Sequence, residues 1–464
     1  MPIVIENYTG QDVAVVGLGK SGCSAALALA AGGADVWAWD DSEAGRADAV
    51  NRNIDVRDAF STPDAKPAAL VLSPGVPFRF PEPHRSVIEA GKKQIPVLGD
   101  VELLYRAQPD AQYIGITGTN GKSTTTALIG HILKSAGRTV EVGGNLGTPP
   151  LDLAPLDANG AYVLELSSYQ LDLVSTTVFD TAVLLNISPD HLDRHGGMDG
   201  YIAAKSRIFE RQGSDHTAII GIDDANAAAL AASLENSAIN LIRISTTQEA
   251  DVCVRDGYLI DHISAEGEAV LRLSDAPALP GLHNAQNMAA AYAVCRTAGL
   301  TAPQITDAMM TFPGLPHRLQ TVGSIKGIRF VNDSKATNAE AAAKALSSFS
   351  SIYWIAGGRE KQGGYDDVVA CFGNVRAACL IGEATHSMTE AFAGRLPCYS
   401  CGTLDVAVDK AFTLALGELE QGNTKPVVVL SPACASFDQF PNFEARGDAF
   451  MNIVAGLAER EGVA

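Results

Sequence analysis

Short apolar runs recur along this 464-residue chain, and most end in glycine or polar residues with a helix-like stretch behind them. Asp12–Val16 reads as a strand, followed by Gly17-Leu18-Gly19-Lys20-Ser21-Gly22 and an alanine-rich helix. Val36–Trp39 is the next strand and ends at Asp40-Asp41; Ala69–Leu72 ends at Ser73-Pro74-Gly75. Tyr113–Ile116 is β-prone, and Ser123–Leu133 is rich in helix formers. TVEVGGNLG ends at Asn145, AYVLELSS at Glu165, and TAVLLNISPDHLD runs into His191 and Asp193. The alternation resumes in GIRFVNDSKATN, SIYWIAGG, AACLIGE and PVVVLSPACASFDQF. Strands alternating with helices predict an α/β protein with parallel sheets. Three blocks follow, none a copy of another: 1–98, Rossmann-like; 99–314, a P-loop-type mononucleotide-binding block; and 315–464, Rossmann-like again.

The stretch GTNGKST lies between a strand and a helix. A glycine turn there points backbone N–H groups out of a helix N-terminus, where unpaired donors and the positive dipole end coincide. Lys122 adds a cation, and Ser123 a hydroxyl suited to a phosphate-bound magnesium ion. The general pattern, GxxxxGK followed by Ser or Thr, is not fully met: Ile116 stands where its first glycine belongs, and Gly118 comes later.

Ligands of open α/β sheets gather beyond the carboxyl ends of strands, so the residues there are the candidates for chemistry. Glu165 ends an apolar strand and suits a magnesium ligand. His191 follows a buried strand at the same edge. Asn284 and Asn287 lie one turn apart at a helix start, where they can bond a base or ribose or simply cap the helix. In the third block Asp333, Lys335, Thr337, Lys361 and Ser436 stand at strand ends, and Arg318 lies at the block boundary. GLGKSG followed by an acid, Asp40, is a dinucleotide-type fingerprint, which says pyrophosphate near a helix N-terminus and does not specify the nucleotide; Asp41 reads equally as part of a solvated turn.

Composition narrows the field. The net charge of −19 argues against binding nucleic acid or an anionic membrane through bulk charge, so an anionic ligand needs local devices. The start, MPIVIENYTG, is no signal peptide, and no run is long and apolar enough to span a membrane. The eight cysteines are scattered, and Cys398-Tyr-Ser-Cys401 is a lone CxxC without the second pair a zinc site needs. Reduced thiols in a cytoplasmic protein are the expectation.

The ordered motifs GLGKSG, LSPG, GTNGKST, GGNLG, LELSSYQL, PDHLDRH, AAKSRIF, GLHNAQN, FPGLPHR, NDSKATN and SPACASFDQFPNFEARG together resemble the Mur ligases over nearly the whole chain. SSYQL and SPACASFDQF are the more discriminating motifs; GTNGKST is shared with folylpolyglutamate synthases, and the shortened phosphate loop is the family's own form. The resemblance implies an ATP-dependent amide ligase that adds D-glutamate to UDP-N-acetylmuramoyl-L-alanine through an acyl phosphate, working as a cytoplasmic monomer with no nucleic-acid or membrane partner. It implies that Gly118, Thr119, Asn120, Gly121, Lys122, Ser123 and Thr124 cradle ATP, with Asn284, Asn287, Arg318 and Asp333 also on the nucleotide. Ser123, Glu165 and a carbamylated Lys205 would hold two magnesium ions. Lys20, Ser21, Asp40, Ser73, Asn145 and His191 would hold the UDP-sugar peptide, and Thr337, Lys361, Ser436, Phe437 and Phe443 the D-glutamate. GGREKQGGY departs from the family's GGxxKxxDF pattern around Lys361.

Three alternatives compete. An NAD-dependent oxidoreductase accounts for GLGKSG but leaves GTNGKS without a role. A nucleotide-gated regulatory protein leaves the pair Glu165 and Lys205 without one. A related Mur-type or folylpolyglutamate-type ligase would add a different amino acid.

Overall fold

The computed structural model describes residues 2–463 apart from 63, 146, 264–266, 361–363 and 423–424, and all but the side chain of His283. The chain packs as two compact units, Met1–Ala276 with Leu282–Thr311, and Pro277–Gly281 with Phe312–Ala464.

The first unit carries two sheets. One has four parallel strands in the order Asp35–Trp39, Asp12–Val16, Ala69–Leu72, Val97–Leu98. The other has nine. Its parallel part runs Val140–Gly144, Ala161–Glu165, Gln112–Thr117, Thr181–Leu184, Thr217–Gly221, Asn240–Ser245, Val252–Arg255. The antiparallel strands Tyr258–Asp261 and Glu268–Arg272 extend that edge. The strand Ala161–Glu165 is buried at every residue, as expected of a parallel strand covered on both faces. One apolar cluster runs from Val13 and Leu29 through Leu103 and Leu104 to Tyr113, Leu164 and Ile220. The first two blocks therefore share a core, which is why they form a single unit.

Helix Asp100–Ala107 sits in that shared core, and one residue ties it to the segment that leads into strand Thr181–Leu184. Glu102 is fully buried. Its carboxylate accepts N–H groups from Ser175, Thr176 and Thr177 and the hydroxyls of the same three residues, and Arg106 pairs with it one turn on. Burial alone would raise its pKa; the Thr176 hydroxyl and the N–H groups of Ser175 and Thr176 outweigh that and bring it from 4.5 to about 2.

The second unit has one six-stranded sheet in the order Gln320–Ile325, Ile328–Asn332, Val427–Leu430, Ile352–Gly357, Val375–Ile381, Cys398–Gly402, with only the first strand antiparallel. Apolar layers cover both faces: Trp354 and Phe392 lie in one, Phe330 and Phe412 in the other. Among the described residues no helix is long and apolar enough to cross a membrane.

Candidate active site

Register brings the candidate residues of the large sheet to one edge. Ile116 pairs with Glu165, Gly144 pairs with Glu165 from the other side, and Thr117 pairs with Leu184. The phosphate loop, Asn145, Glu165 and the segment after Leu184 thus leave adjacent strands at the same level.

The loop itself is held by that neighbouring segment. Thr119 N–H donates to the Asn186 carbonyl at 2.9 Å, and Asn120 N–H to Asn186 Oδ1 at 2.9 Å. Gly121 is the N-cap of helix Lys122–Ser135 and adopts φ 85°, a left-handed conformation that glycine enters at least cost. A Cβ there would lie 2.3 Å from Asn287 Oδ1, so the loop also needs glycine for space. Asn287 in turn accepts from Thr125 Oγ1 at 3.2 Å and donates to Asn284 Oδ1 at 3.0 Å. Both asparagines are buried, and Asn287 binds the helix Leu282–Thr297 to the phosphate-loop helix. Lys122 Nζ folds back onto the Gly118 and Thr119 carbonyls, 2.9 Å from each. Ser123 is buried in the first helical turn, where N–H groups have no intrahelical acceptor, and Thr124 is half-buried beside it.

Glu165 and Lys205 complete the edge. Glu165 Oε1 accepts from Asn145 Nδ2 at 2.8 Å, while Oε2 is buried with no hydrogen-bond partner among the described residues. A buried carboxylate oxygen without a partner is costly, and a hard cation is the ligand it suits. Among the described residues no three His, Cys, Asp or Glu side chains cluster as a protein-only metal site. Glu165 and Ser123 instead fit magnesium, which is commonly held by one or two protein ligands with substrate phosphates completing its shell.

Lys205 is 1 % exposed. It comes from helix Met198–Ser206, donates to the Gly118 carbonyl at 2.8 Å, and lies 4.7 Å from the centre of the Tyr201 ring. Burial, and then the charge of Lys122, hold its pKa well below the usual lysine value, although Asp190 and Glu165 pull the other way.

His191 takes a left-handed φ of 51°, is exposed, and has Asp190 3.5 Å away. The buried imidazole of this segment is instead His195, which sequence reasoning passed over. It lies between the rings of Tyr169 and Tyr201, with Ser168 Oγ 2.9 Å from Nε2 and Asp172 3.4 Å from Nδ1. Burial and then the Lys205 charge lower its pKa to about 4, so it is neutral at physiological pH. Tyr201, whose hydroxyl is 3.2 Å from Thr119 Oγ1, and Asn186 were also missed. Asn186 had a signal, since it follows a buried strand just as His191 does; His195 and Tyr201 had none in their local spacing.

In the small sheet the glycine-rich turn is braced from several sides. Asp40 uses both carboxylate oxygens locally, accepting from Leu18 N–H at 2.6 Å and Ser42 N–H at 2.8 Å. Asp41, exposed, accepts from His84 and Trp39, each at 3.0 Å, which holds its carboxyl below the usual range. Ser73 Oγ donates to the Gly17 carbonyl at 2.8 Å, and a Cβ on Gly22 would lie 1.7 Å from that same carbonyl oxygen. The Ser21 hydroxyl bonds the buried Asp100 carboxyl, whose pKa is raised by burial. Lys20 is exposed at the start of helix Lys20–Ala31 and lines a cleft of about 370 Å³ with Ser24, Arg52, Thr148 and Asp152.

The second unit gathers its own candidates. Asp333 is buried; it accepts from Ser431 Oγ at 2.8 Å and Leu319 N–H at 3.2 Å, and burial raises its pKa to about 7 against the pull of Ser431, Leu319 and Arg318. Lys335 Nζ lies 3.9 Å from the centre of the Phe443 ring. Thr337 is half-buried, Ser436 buried and Phe437 exposed. Lys361 lies outside the described residues. A buried guanidinium that the sequence did not flag, Arg446, donates to the Ser334 hydroxyl and carbonyl, both at 3.0 Å, and to the Cys434 carbonyl at 3.2 Å. It pins together the two loops that carry Lys335 and Ser436.

The chain matches the Mur ligase middle domain over residues 116–295 and the Mur ligase glutamate ligase domain over residues 317–434. It is 48% identical to the UDP-N-acetylmuramoylalanine–D-glutamate ligase of Rhodospirillum rubrum, across 100% of this chain and 98% of that one. It is 49% identical to the protein of the same name from Caulobacter vibrioides, across 100% and 99%. The UDP-N-acetylmuramate-alanine ligase MurC of Thermotoga maritima shares the fold, with a TM-score of 0.58 at 16% identity over 96% of this chain and 100% of that one. With matches of this length and identity on top of the geometry of its phosphate-loop edge, the chain belongs to the Mur ligase family.

Proposed function

We propose that this protein is an ATP-dependent ligase that joins D-glutamate to UDP-N-acetylmuramoyl-L-alanine in peptidoglycan precursor synthesis, and so serves cell-wall growth and division. The observation that carries this reading is the meeting of the phosphate loop, Glu165 and Lys205 at one sheet edge. It is supported by the near 50% full-length identity to relatives bearing that activity's name.

A carboxylate cannot lose oxide to an amine, so the L-alanyl carboxylate needs a leaving group first. One of its oxygens attacks the γ-phosphorus of ATP, ADP departs, and an acyl phosphate remains. The amine of D-glutamate then attacks the acyl carbon, and the tetrahedral intermediate collapses to the amide with release of phosphate. The chain's part is to position and to neutralise charge, which dominates phosphoryl transfer. The loop Gly118–Thr124 offers backbone N–H groups to the phosphates, and Lys122 supplies a point charge. Ser123 and Glu165 would hold magnesium, whose charge would offset that of the phosphates.

Lys205 acts as a carbamate. Only a neutral amine captures carbon dioxide, and burial with the nearby Lys122 charge favours that form. The modification would put carbamate oxygens in place of the amine, and these would hold a second magnesium ion beside Ser123 and Glu165.

Residues 1–98 hold the UDP-sugar peptide through Lys20, Ser21, Asp40 and Ser73, joined by Asn145 and His191 from residues 99–314, the ATPase block containing Asn284 and Asn287. Residues 315–464 bind D-glutamate through Thr337, Lys361, Ser436, Phe437 and Phe443, with Arg318 and Asp333 as nucleotide contacts. The enzyme works as a cytoplasmic monomer.

The test is an amino-acid panel with ATP, magnesium and UDP-N-acetylmuramoyl-L-alanine. ADP release is expected with D-glutamate and not with L-glutamate, L-lysine, diaminopimelate or D-alanine. Equal or greater release with another amino acid would overturn the substrate assignment.

A further inference from the structure

The pair Cys398 and Cys401 reads in sequence as a CxxC, the spacing of a redox dithiol. The structure separates the two. Both lie on the edge strand Cys398–Gly402, but Cys398 packs with the layer containing Trp354 and Phe392, while Cys401 packs with the opposite layer containing Phe330 and Phe412. A sheet lies between them. The neighbouring strand Val375–Ile381 supplies a different partner. Its Cys379 faces the same layer as Cys401 and pairs in register with Tyr399, whose carbonyl accepts from Cys401 Sγ at 3.5 Å.

The register shifts between Leu380 and Ile381, pairing them with Ser400 and Gly402, so Cys401 occupies a bulge. A bulge on an edge strand is the place in a sheet where backbone yields most readily. The two thiols differ sharply in setting. Cys379 is fully buried, whereas Cys401 is partly exposed beside the Lys410 ammonium, which itself lies 4.4 Å from the centre of the Tyr399 ring. The nearby Cys379 thiol, and then the Lys410 charge, act to lower the Cys401 pKa against burial, while the Cys379 pKa is raised. The arrangement sets a partly exposed thiol, at a bulge, on the same face as a buried thiol of the next strand, the placement an attacking and a resolving cysteine need.

We propose that Cys401 and Cys379 form a peroxide-oxidisable thiol pair that closes to a disulfide across the two strands. The Cys401 thiolate sulfur attacks one peroxide oxygen and the O–O bond breaks. Cys401 becomes a sulfenic acid, and the departing hydroxide takes a solvent proton to become water. The Cys379 sulfur then attacks Cys401 Sγ, the S–O bond breaks, and the hydroxyl leaves as water with the Cys379 proton. Two thiols are oxidised by two electrons in all, and the peroxide is reduced to two waters.

The full chain is treated with hydrogen peroxide, remaining thiols are alkylated in denaturant, and the peptides are mapped by mass spectrometry. The expected result is a Cys379–Cys401 linked peptide that dithiothreitol reverses, with Cys398 alkylated. In Cys379→Ser the link disappears and Cys401 is trapped by dimedone as the sulfenic acid. In Cys401→Ser, Cys379 stays alkylatable under the same treatment. Circular dichroism matching the parent shows each variant is folded, and the parent's own map stands without them. A Cys398–Cys401 link, or full alkylation of both Cys379 and Cys401 at a peroxide dose that oxidises free cysteine, would overturn the proposal.

Discussion

Replacing Glu102 with glutamine tests how the helix Asp100–Ala107 is fastened to the segment after the SSYQL motif. The carboxylate accepts N–H and hydroxyl donors from Ser175, Thr176 and Thr177 while fully buried. Glutamine keeps the shape but turns one acceptor into an amide donor facing donors. Moving the pKa from 4.5 to about 2 corresponds to about 3 kcal/mol, at ~1.36 kcal/mol per unit. The sign follows from the direction. A depressed folded pKa gives stability that is fully present above the unfolded value and is lost as pH falls toward the folded one. The contribution is therefore about 3 kcal/mol near pH 7 and about half that near pH 3. Urea unfolding followed by far-UV circular dichroism should show Glu102→Gln less stable by at least this amount at neutral pH. The gap from the parent should narrow as pH drops below about 4.5. A variant within ~0.5 kcal/mol of the parent at neutral pH, or a gap that does not change with acidity, would refute the reasoning.

Lys122→Ala should stay folded yet lose at least about a hundredfold in ATP turnover, because the lysine is a charge on transferring phosphate; near-parental turnover would count against that role. Lys205→Ala should be nearly inactive and partly restored by acetate or formate refilling the ligand position; full activity without additive, or a bare amine in the magnesium-bound enzyme, would end the carbamate assignment. Asp333→Asn should raise the melting temperature of the second unit. A carboxyl whose folded pKa is raised to about 7 contributes stability below about 3.8 that is lost as pH rises through about 7, and a neutral amide does not lose it. Calorimetry should therefore show a gain that grows from acid to neutral pH, and a gain independent of pH would contradict the assignment.

Much of the frame is written in neighbouring residues. Asp12–Val16 and Ala69–Leu72 are strands with the very bounds their apolar runs suggest, and the helix after GTNG begins at Lys122, one residue before Ser123. Such elements follow from β-branched runs, helix formers and glycine turns, all of which act within a few residues. Strand ends also told where to look, since parallel sheets gather ligands at one edge. The short strands Val252–Arg255, Tyr258–Asp261 and Glu268–Arg272 were not evident, because runs of four or five residues are too short to establish a strand period by themselves.

What could not be read along the chain is everything that depends on distant neighbours. AAKSRIF by itself describes a helix lysine in solvent; the fold buries Lys205 against Gly118, a residue 87 positions away, and its lowered pKa follows from that burial. Two histidines four residues apart, His191 and His195, look alike in sequence, and packing between Tyr169 and Tyr201 buries only the second, whose pKa falls with that burial. Cys398 and Cys401 look paired, yet the pleat and a bulge turn them to opposite faces and give Cys401 to Cys379. Local propensity sets where the chain turns and extends. Desolvation, charge proximity and side-chain facing arise only when segments far apart in sequence are pressed together, and those are the terms that set the chemistry of a site.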